Sequence, residues 1–306
     1  MNIVVNLNKN PSITSHDAVT AVKKTYKVKK AGHAGTLDPA ATGVLLVCLN
    51  EATKITGFLS DLDKEYIVTA KLGECTDTYD SEGVVIKKTE RFTVTGSEIE
   101  TAILKFTGDI EQIPPMHSAI KVSGRPLYEL ARKGIEIERK PRRISIKAIE
   151  VLNFESPFLT LKVSCSKGTY IRSLCNDLGN ELGVGAYITE LVRTRIGDFT
   201  IDNSAGIDDL PHKAPALYSI DTALRHLPEI KVEWDNLKRA KNGNPIRIGQ
   251  KCGRQASAEE LKESLQASGL PGFSSAFIRL KDPEGKLFGI GKKGKDSVKI
   301  ERLFNL

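Results

Sequence analysis

Apolar residues recur at every third or fourth position in some stretches of the chain and alternate in others, and the two rhythms divide it into elements. Behind the cap signal Thr14-Ser15, the residues Ala18, Val19 and Val22 keep helical spacing and predict a helix over residues 15–26. The run Val44–Leu49 is apolar throughout and predicts a buried strand. Ile55, Leu59 and Leu62 share one side of a second helix over Ala52–Leu62, and Tyr66–Leu72 then alternates as a strand. Ser97-x-x-Glu100 reads as a capping box in front of Ile99, Ile103 and Phe106. Leu159, Leu161, Val163 and Cys165 alternate with Thr160, Lys162 and Ser164, as in a strand with one wet face. Ile171, Leu174, Cys175, Leu178 and Leu182 form a helical stripe that Gly183 and Gly185 end. Strands and helices interleaved without regular βαβ spacing predict an α+β domain on a mixed, largely antiparallel sheet. Beyond about residue 200 the rhythm loosens through Pro211, Pro215 and Pro228, which predicts a linker region over 200–229. The short strands Ala276–Lys281, Leu287–Ile290 and Ser297–Arg302, with Gly-rich turns between them, predict a small β-barrel within residues 230–306. No internal repeat is visible.

Length agrees with that division, since 306 residues is about two domains' worth of chain. The longest apolar run is too short to cross a bilayer, and Met1–Asn8 lacks the basic and long apolar regions of a secretory signal, so the expectation is a cytoplasmic protein with no membrane association. Cys48, Cys75, Cys165, Cys175 and Cys252 contain no C-x-x-C pair, and no histidine falls at ligand spacing beside them; reduced thiols and no metal site are expected. Charge adds more. Residues 230–306 hold 16 basic and 9 acidic side chains, against 29 of each in residues 1–229, so the whole +7 surplus lies in the last quarter. Within the neutral part, Lys23, Lys24, Lys27, Lys29 and Lys30 form an acid-free cluster, and residues 114–143 carry 8 basic against 3 acidic side chains. Polyanion binding accounts for this pattern, although a basic bias can also serve solubility alone.

Candidate chemistry concentrates in two places. In Ala31–Gly43, three glycines, His33 and Asp38-Pro39 crowd between the basic helix and the buried strand. Pro39 disfavours helical geometry at Asp38, which fixes this carboxylate on a loop at a strand mouth; a plain Asp-Pro turn is the simpler alternative. In Ser166–Leu174, joining a strand to a helix, Arg172 lies off the apolar stripe, where it could grip a carboxylate with two parallel hydrogen bonds or sit exposed. Two other motifs mislead. Gly289-Ile290-Gly291-Lys292-Lys293-Gly294 matches a dinucleotide loop, but only twelve residues follow it, so it reads as a basic turn. Arg139-Lys140-Pro141-Arg142-Arg143, beside strand-like Ile144-Ser145-Ile146, reads as an RNA-facing edge or a solvated face rather than a localisation signal.

Gly32-His33-x-Gly35-x-Leu37-Asp38-Pro39, Asp63-Lys64-x-Tyr66, Thr76-Asp77-Thr78-x-Asp80, Ser166–Leu174 and Asn242-Gly243-Asn244-Pro245 occur in the order and approximate spacing of the bacterial tRNA pseudouridine-55 synthases. The chain resembles that family from about residue 3 to its end, most weakly around 200–240 and 252–275. The resemblance implies a pseudouridine synthase catalytic domain over 1–229, with 114–143 as a basic RNA-binding insertion, and a PUA-like RNA-binding domain over 230–306. It implies isomerisation of one T-loop uridine of tRNA by a stand-alone monomer that needs no cofactor, metal or protein partner. By position, Asp38 is then the catalytic carboxylate, Arg172 its ion-pair partner and Tyr66 the aromatic that stacks on the uracil. Tyr170 and Leu191 line the same pocket, and His33, Asp80, Lys9 and Lys121 serve substrate binding. Where the family has Asp-Lys-Pro-x-Gly near its start, this chain has Asn8-Lys9-Asn10-Pro11-Ser12, which places a serine where glycine would more readily turn.

The residue types suit that reaction. Uridine must lose its N1–C1′ bond, let the detached uracil turn, and regain a C5–C1′ bond, so the base has to stay held throughout. A carboxylate can add to the ribose, assist its deprotonation or attack the base. A stacked target must also be flipped out, which calls for an aromatic surface; Tyr66 is a candidate, with a core strand tyrosine as the alternative. Two competing readings are a non-catalytic tRNA-binding protein or folding chaperone, which has no use for Asp38, Arg172 and Tyr66 together, and a related synthase acting on another RNA.

Overall fold

The computed structural model describes residues 1–118, 120–122, 124–210, 214–247 and 276–306. In chain order its strands are β1 (Ile3–Lys9), β2 (Ala31–His33), β3 (Thr42–Leu49), β4 (Lys64–Leu72), β5 (Glu74–Thr76), β6 (Val85–Lys88), β7 (Gly108–Gln112), β8 (Lys121–Val122), β9 (Arg125–Pro126), β10 (Arg142–Glu155), β11 (Phe158–Cys165), β12 (Ala186–Ile196), β13 (Phe199–Thr200), β14 (Leu217–Ser219), β15 (Glu229–Lys231), β16 (Ile246–Arg247), β17 (Phe277–Lys281), β18 (Leu287–Lys293) and β19 (Ser297–Leu303). The α-helices are α1 (Ser15–Thr25), α2 (Thr56–Ser60), α3 (Gly96–Leu104), α4 (Leu127–Ala131), α5 (Ile171–Glu181), α6 (Ile220–Ala223) and α7 (Trp234–Lys241).

A ten-stranded sheet runs in the order β14-β1-β3-β12-β4-β11-β10-β7, with β13 paired to β12 and β2 to β3. Among the described residues every pairing in it is antiparallel except β12 with β3, giving the mixed α+β sheet expected. The apolar run of β3 is explained by burial on both faces. Leu45, Val47 and Leu49 face the core under α1, α3 and α5, while Val44, Leu46 and Cys48 face a second cluster with Ala52, Ile55 and Leu59. A capping box starts α1, in which the Thr14 hydroxyl accepts from the Asp17 amide and the Asp17 carboxylate accepts from the Thr14 amide.

Four local expectations change. The predicted helix over Ala52–Leu62 is a 3₁₀ turn, Asn50–Ile55, followed by the short α2; the Thr53 and Thr56 hydroxyls donate to carbonyls three residues back and favour the tighter winding. The cap of α3 is Thr95 with Glu98, two residues ahead of the expected pair, because Thr95 is extended and its hydroxyl reaches the Glu98 amide at 3.3 Å. The region 200–229 is not a loose linker: Ala205 bonds back to Asn6 and Asn8, β14 extends the sheet beside β1, and Ala216, Ile220, Ala223, Leu224 and Leu227 are buried. Pro211 lies outside the described residues. Finally, Gly289 and Gly291 belong to strand β18 rather than to a turn. A Cβ on Gly289 would stand 2.6 Å from the Arg302 carbonyl oxygen and one on Gly291 2.2 Å from Val298 Cγ1, so these glycines let β19 lie close.

Among the described residues, the strands within 229–303 form a five-stranded sheet, β15-β17-β18-β19-β16. The 229/230 division falls inside β15, and Leu287, Ile290 and Phe304 share a hydrophobic cluster with Leu59, Ile220, Leu224 and Leu227. Phe58 and Phe277 meet edge to face at 5.0 Å, and Arg279 and Lys281 both pair with Asp221 and Glu229. Cys48, Cys75, Cys165 and Cys175 are buried free thiols, and Cys252 lies outside the described residues. No described helix is long and apolar enough to cross a membrane.

Candidate active site

Asp38 stands on the loop between β2 and β3, and buried groups fix that loop from three sides. The Ser15 hydroxyl accepts from the Leu37 amide at 2.8 Å and donates to the Leu37 carbonyl at 3.0 Å. The Lys9 ammonium, with no exposed surface, donates to the carbonyls of Asn10, Ile13 and Pro39 at 2.8, 2.9 and 3.0 Å. All three of its hydrogens are thereby used, so Lys9 holds the loop from behind instead of lining the pocket. Ser12 adopts the left-handed conformation of a glycine, with φ of 64°, and its amide also donates to Pro39. The departure from the family pattern is therefore accommodated. On the third side Arg193, 1% exposed, donates from Nε to Val44, from Nη1 to Thr36 and from Nη2 to Gly35.

Arg172, the second residue of α5, meets Asp38 along one edge of its carboxylate: Nη2 donates to Oδ1 at 3.0 Å and Nε lies 2.9 Å from Oδ2. Nη1 reaches Asp80 Oδ2 at 3.3 Å and the Thr78 carbonyl at 3.1 Å, and Nη2 also donates to the His117 carbonyl at 2.8 Å. Three hydrogen bonds and two ion-pair contacts thus engage all three guanidinium nitrogens. The Arg172 side chain is 6% exposed and Asp38 is 37% exposed, so the cation is sunk and the carboxylate is open on one side. The exposed-surface alternative for Arg172 is removed. Asp80 is oriented by the Thr78 hydroxyl at 2.5 Å and the Glu82 amide at 3.1 Å. The segment after β7 is docked on the start of α5: Gln112 bonds both backbone groups of Tyr170, and the Ser173 hydroxyl donates to Ile113.

Tyr66 on β4 is buried and pairs across the ladder with Arg193 on β12. Burial pushes its phenol above the ordinary tyrosine range, against the pull of the nearby Arg193 guanidinium. Half-buried Leu191 precedes Arg193 by two residues and shares its side of the strand. Half-buried Tyr170 caps α5, and burial raises its phenol as well. Burial, with Arg193 adding, lowers the His33 imidazole. Desolvation brings the Lys9 ammonium down to about 8, opposed by Asp38 and assisted by Arg193. Lys121 is exposed on the β8–β9 hairpin. Sequence reasoning did not single out Arg193; the signal was a charged residue at the inward parity of Leu191. It also gave Lys9 to the substrate and missed that Asp80 is a second carboxylate on Arg172.

The sequence profile of the TruB family pseudouridylate synthase N-terminal domain matches residues 23–171, and that of the tRNA pseudouridylate synthase B C-terminal domain matches residues 172–227. The chain belongs to the TruB pseudouridylate synthase family. It is 43% identical over 99% of both chains to tRNA pseudouridine synthase B of Clostridium tetani, and 42% identical to that of Dechloromonas aromatica, over 95% of this chain and 91% of the relative. Among solved structures it resembles a chain of a Cbf5-Nop10-Gar1 complex with a TM-score of 0.71 at 26% identity, covering 99% of this chain and 84% of that one. A chain of an H/ACA RNP bound to a substrate RNA containing 2'-deoxyuridine gives 0.69 at 25%, with the same coverage. The TruB family profiles together take in Asp38, Tyr66, Asp80, Arg172, Leu191 and Arg193.

Proposed function

We propose that this chain isomerises the T-loop uridine of tRNA, position 55, with Asp38 as the catalytic carboxylate. Conversion of uridine to pseudouridine in tRNA is the activity of the family to which it belongs. The observation that carries the residue assignment is the asymmetry of the central pair. Arg172 is sunk and saturated, while Asp38 is gripped along one edge and open on the other. A purely structural pair has no use for an open carboxylate at a strand mouth, and an RNA-binding protein without chemistry has no use for one gripped along one edge by a guanidinium.

In this reading the target nucleotide leaves its stack and enters between Asp38 and the pocket formed by Tyr66, Tyr170 and Leu191, Tyr66 presenting an aromatic face to the uracil. Asp38 acts at the ribose or the base while N1–C1′ breaks. The pocket retains the uracil as it turns, C5–C1′ forms, and a proton leaves C5 as one is gained at N1. Arg172 and Asp80 hold Asp38 in place, and Lys9 and Arg193 hold its loop. His33 and Lys121 contact RNA outside the pocket. Residues 230–306 serve as a PUA-like RNA-binding unit, and the protein works as a cytoplasmic monomer on the T-arm.

The test is single-turnover conversion of an unmodified tRNA transcript, with pseudouridine mapped by position. Asp38→Asn is expected to abolish product while RNA affinity stays within a few-fold, since one carboxylate is no large part of a basic interface. Substantial turnover by Asp38→Asn would remove the catalytic assignment, and product at another uridine would remove the positional one.

A further inference from the structure

We infer that Lys23, Lys24, Lys27, Lys29 and Lys30, at the far end of α1, form a second RNA-binding surface that holds tRNA phosphates away from the target uridine. This rests on the reading of the chain as a tRNA-modifying enzyme and adds a separate site to it. All five side chains are exposed, and no Asp or Glu occurs between Asp17 and Asp38. None of the five forms an ion pair among the described residues. Elsewhere Lys54, Lys71, Lys105, Lys147, Lys162 and Lys167 each meet a carboxylate. The helix dipole accounts for Lys23 and Lys24 in the last turn of α1. It does not account for Lys27, Lys29 and Lys30 beyond the helix, where Glu51 acts on Lys30 without pairing with it and no ion pair relieves the repulsion among the three.

The segment is also held in place. Tyr26, Val28 and Ala31 pack on the main core, the Lys30 carbonyl accepts from the Asn50 amide at 2.8 Å, and the Lys30 amide donates to Asn50 Oδ1 at 3.3 Å. A solubility tail would need no such anchoring. Its position follows from strand register. Ala31 pairs with Leu49 at one end of β3, whereas Thr42 at the other end follows the Asp38 loop. Seven steps of about 3.3 Å along β3 separate the Lys30 end from the Thr42 end, and eight steps of about 1.5 Å along α1 separate Lys23 from Ser15, which bonds Leu37, so the cluster lies roughly 12–20 Å from the Asp38 loop, where phosphates flanking the target can reach it. Glu51, next to Asn50, accepts from the Asn305 amide at 2.8 Å, so the cluster adjoins the end of the sheet formed by residues 229–303.

The experiment uses the full chain with all five lysines changed to Gln, and as a control the triple variant Lys105→Gln, Lys162→Gln, Lys167→Gln. Affinity for an intact tRNA transcript and for a minimal T-loop hairpin is measured across a KCl series, with single-turnover rates at saturating RNA. The five-lysine variant is expected to bind tRNA at least 10-fold more weakly at low salt. Its log K against log salt slope is expected to be shallower by about 0.7–0.9 for each phosphate that a lysine no longer neutralises. Hairpin affinity and the saturating rate should stay within two-fold of wild type. An unchanged tRNA slope overturns the inference, and so does an equal weakening in the control, which would reduce the effect to net charge. Failure of the enzymatic reading is distinguishable, because it abolishes wild-type product whatever the slopes show.

Discussion

Replacing Arg172 by lysine tests whether the pair with Asp38 is a matter of charge or of shape. Arg172 makes five polar contacts, two with Asp38 and one each with Asp80, Thr78 and His117, and an ammonium with three hydrogens on a shorter stem leaves at least two of them unmade. Removing the partner of a buried charge costs about 3–5 kcal/mol, and a stranded buried acceptor about 1–3 kcal/mol. The Asp38 carboxylate is 37% exposed, so water replaces part of what it loses, whereas Asp80 at 13% gains little of that relief. The expected destabilisation is then roughly 3–4 kcal/mol for Arg172→Ala and ~2 kcal/mol for Arg172→Lys. At about 2–4 °C per kcal/mol, the lysine variant melts ~4–8 °C below wild type and stays folded at an ordinary assay temperature. Its single-turnover rate should nevertheless fall at least ~10²-fold, because a carboxylate displaced by about an ångström no longer meets the reacting atoms. Melting curves and conversion of the tRNA transcript are measured on the same preparations. A lysine variant that turns over within three-fold of wild type would refute the argument that bidentate aim matters.

Arg193→Met deprives the buried carbonyls of Val44, Thr36 and Gly35 of donors and should slow single turnover at least ~10-fold with RNA affinity unchanged; a wild-type rate would show that the loop holds itself. Ser12→Gly should stabilise the protein by roughly 0.5–1 kcal/mol in urea melts, because a left-handed residue costs less as glycine than as serine; destabilisation would show that the serine side chain compensates. Stability should rise between pH 8 and about pH 9 and then fall. Lys9 and Lys64, brought to about 8 chiefly by burial, release protons in the native state that the unfolded chain still holds, so unfolding becomes harder as pH climbs. Above the ordinary thiol range the sign reverses: burial pushes Cys48 and Cys175 up to about 12 and Cys165 to about 11, so the native state keeps protons that the unfolded chain loses. Urea melts from pH 7 to pH 10.5 check this, and stability already falling between pH 8 and pH 9 contradicts it.

The elements that could be read in advance are those whose pattern and environment agree. The unbroken run of β3 is buried on both faces, β11 alternates against one, and α5 carries its stripe to the glycines that end it, Gly183 and Gly185. Where backbone chemistry competes with periodicity, the pattern misleads: Ile55, Leu59 and Leu62 do sit together, but on a 3₁₀ turn, a short helix and the bend after it. Prolines suggested a linker over 200–229, because a three-residue edge strand such as β14 is too short to show a rhythm. In the candidate site, Asp38 and Arg172 stood out through loop chemistry and position off a stripe. Arg193 did not, since its partners are carbonyls of residues ~150 positions away, which no side-chain motif records.

The hydrophobic cluster shared by Leu59, Ile220, Leu224, Leu287, Ile290 and Phe304 also constrains how the molecule is made. During synthesis the N-terminal residues emerge first, and β1 is exposed along one edge until β14 arrives more than two hundred residues later. The apolar face beneath Leu59 is covered in part once Ile220 and Leu224 are made, and fully only when Leu287, Ile290 and Phe304 are translated. For most of its time on the ribosome the nascent chain therefore presents a greasy surface and an open strand edge, both targets for holdase chaperones. A stop codon a few residues before Phe304 should accordingly send the product to proteolysis, even though every residue assigned to chemistry has already been made.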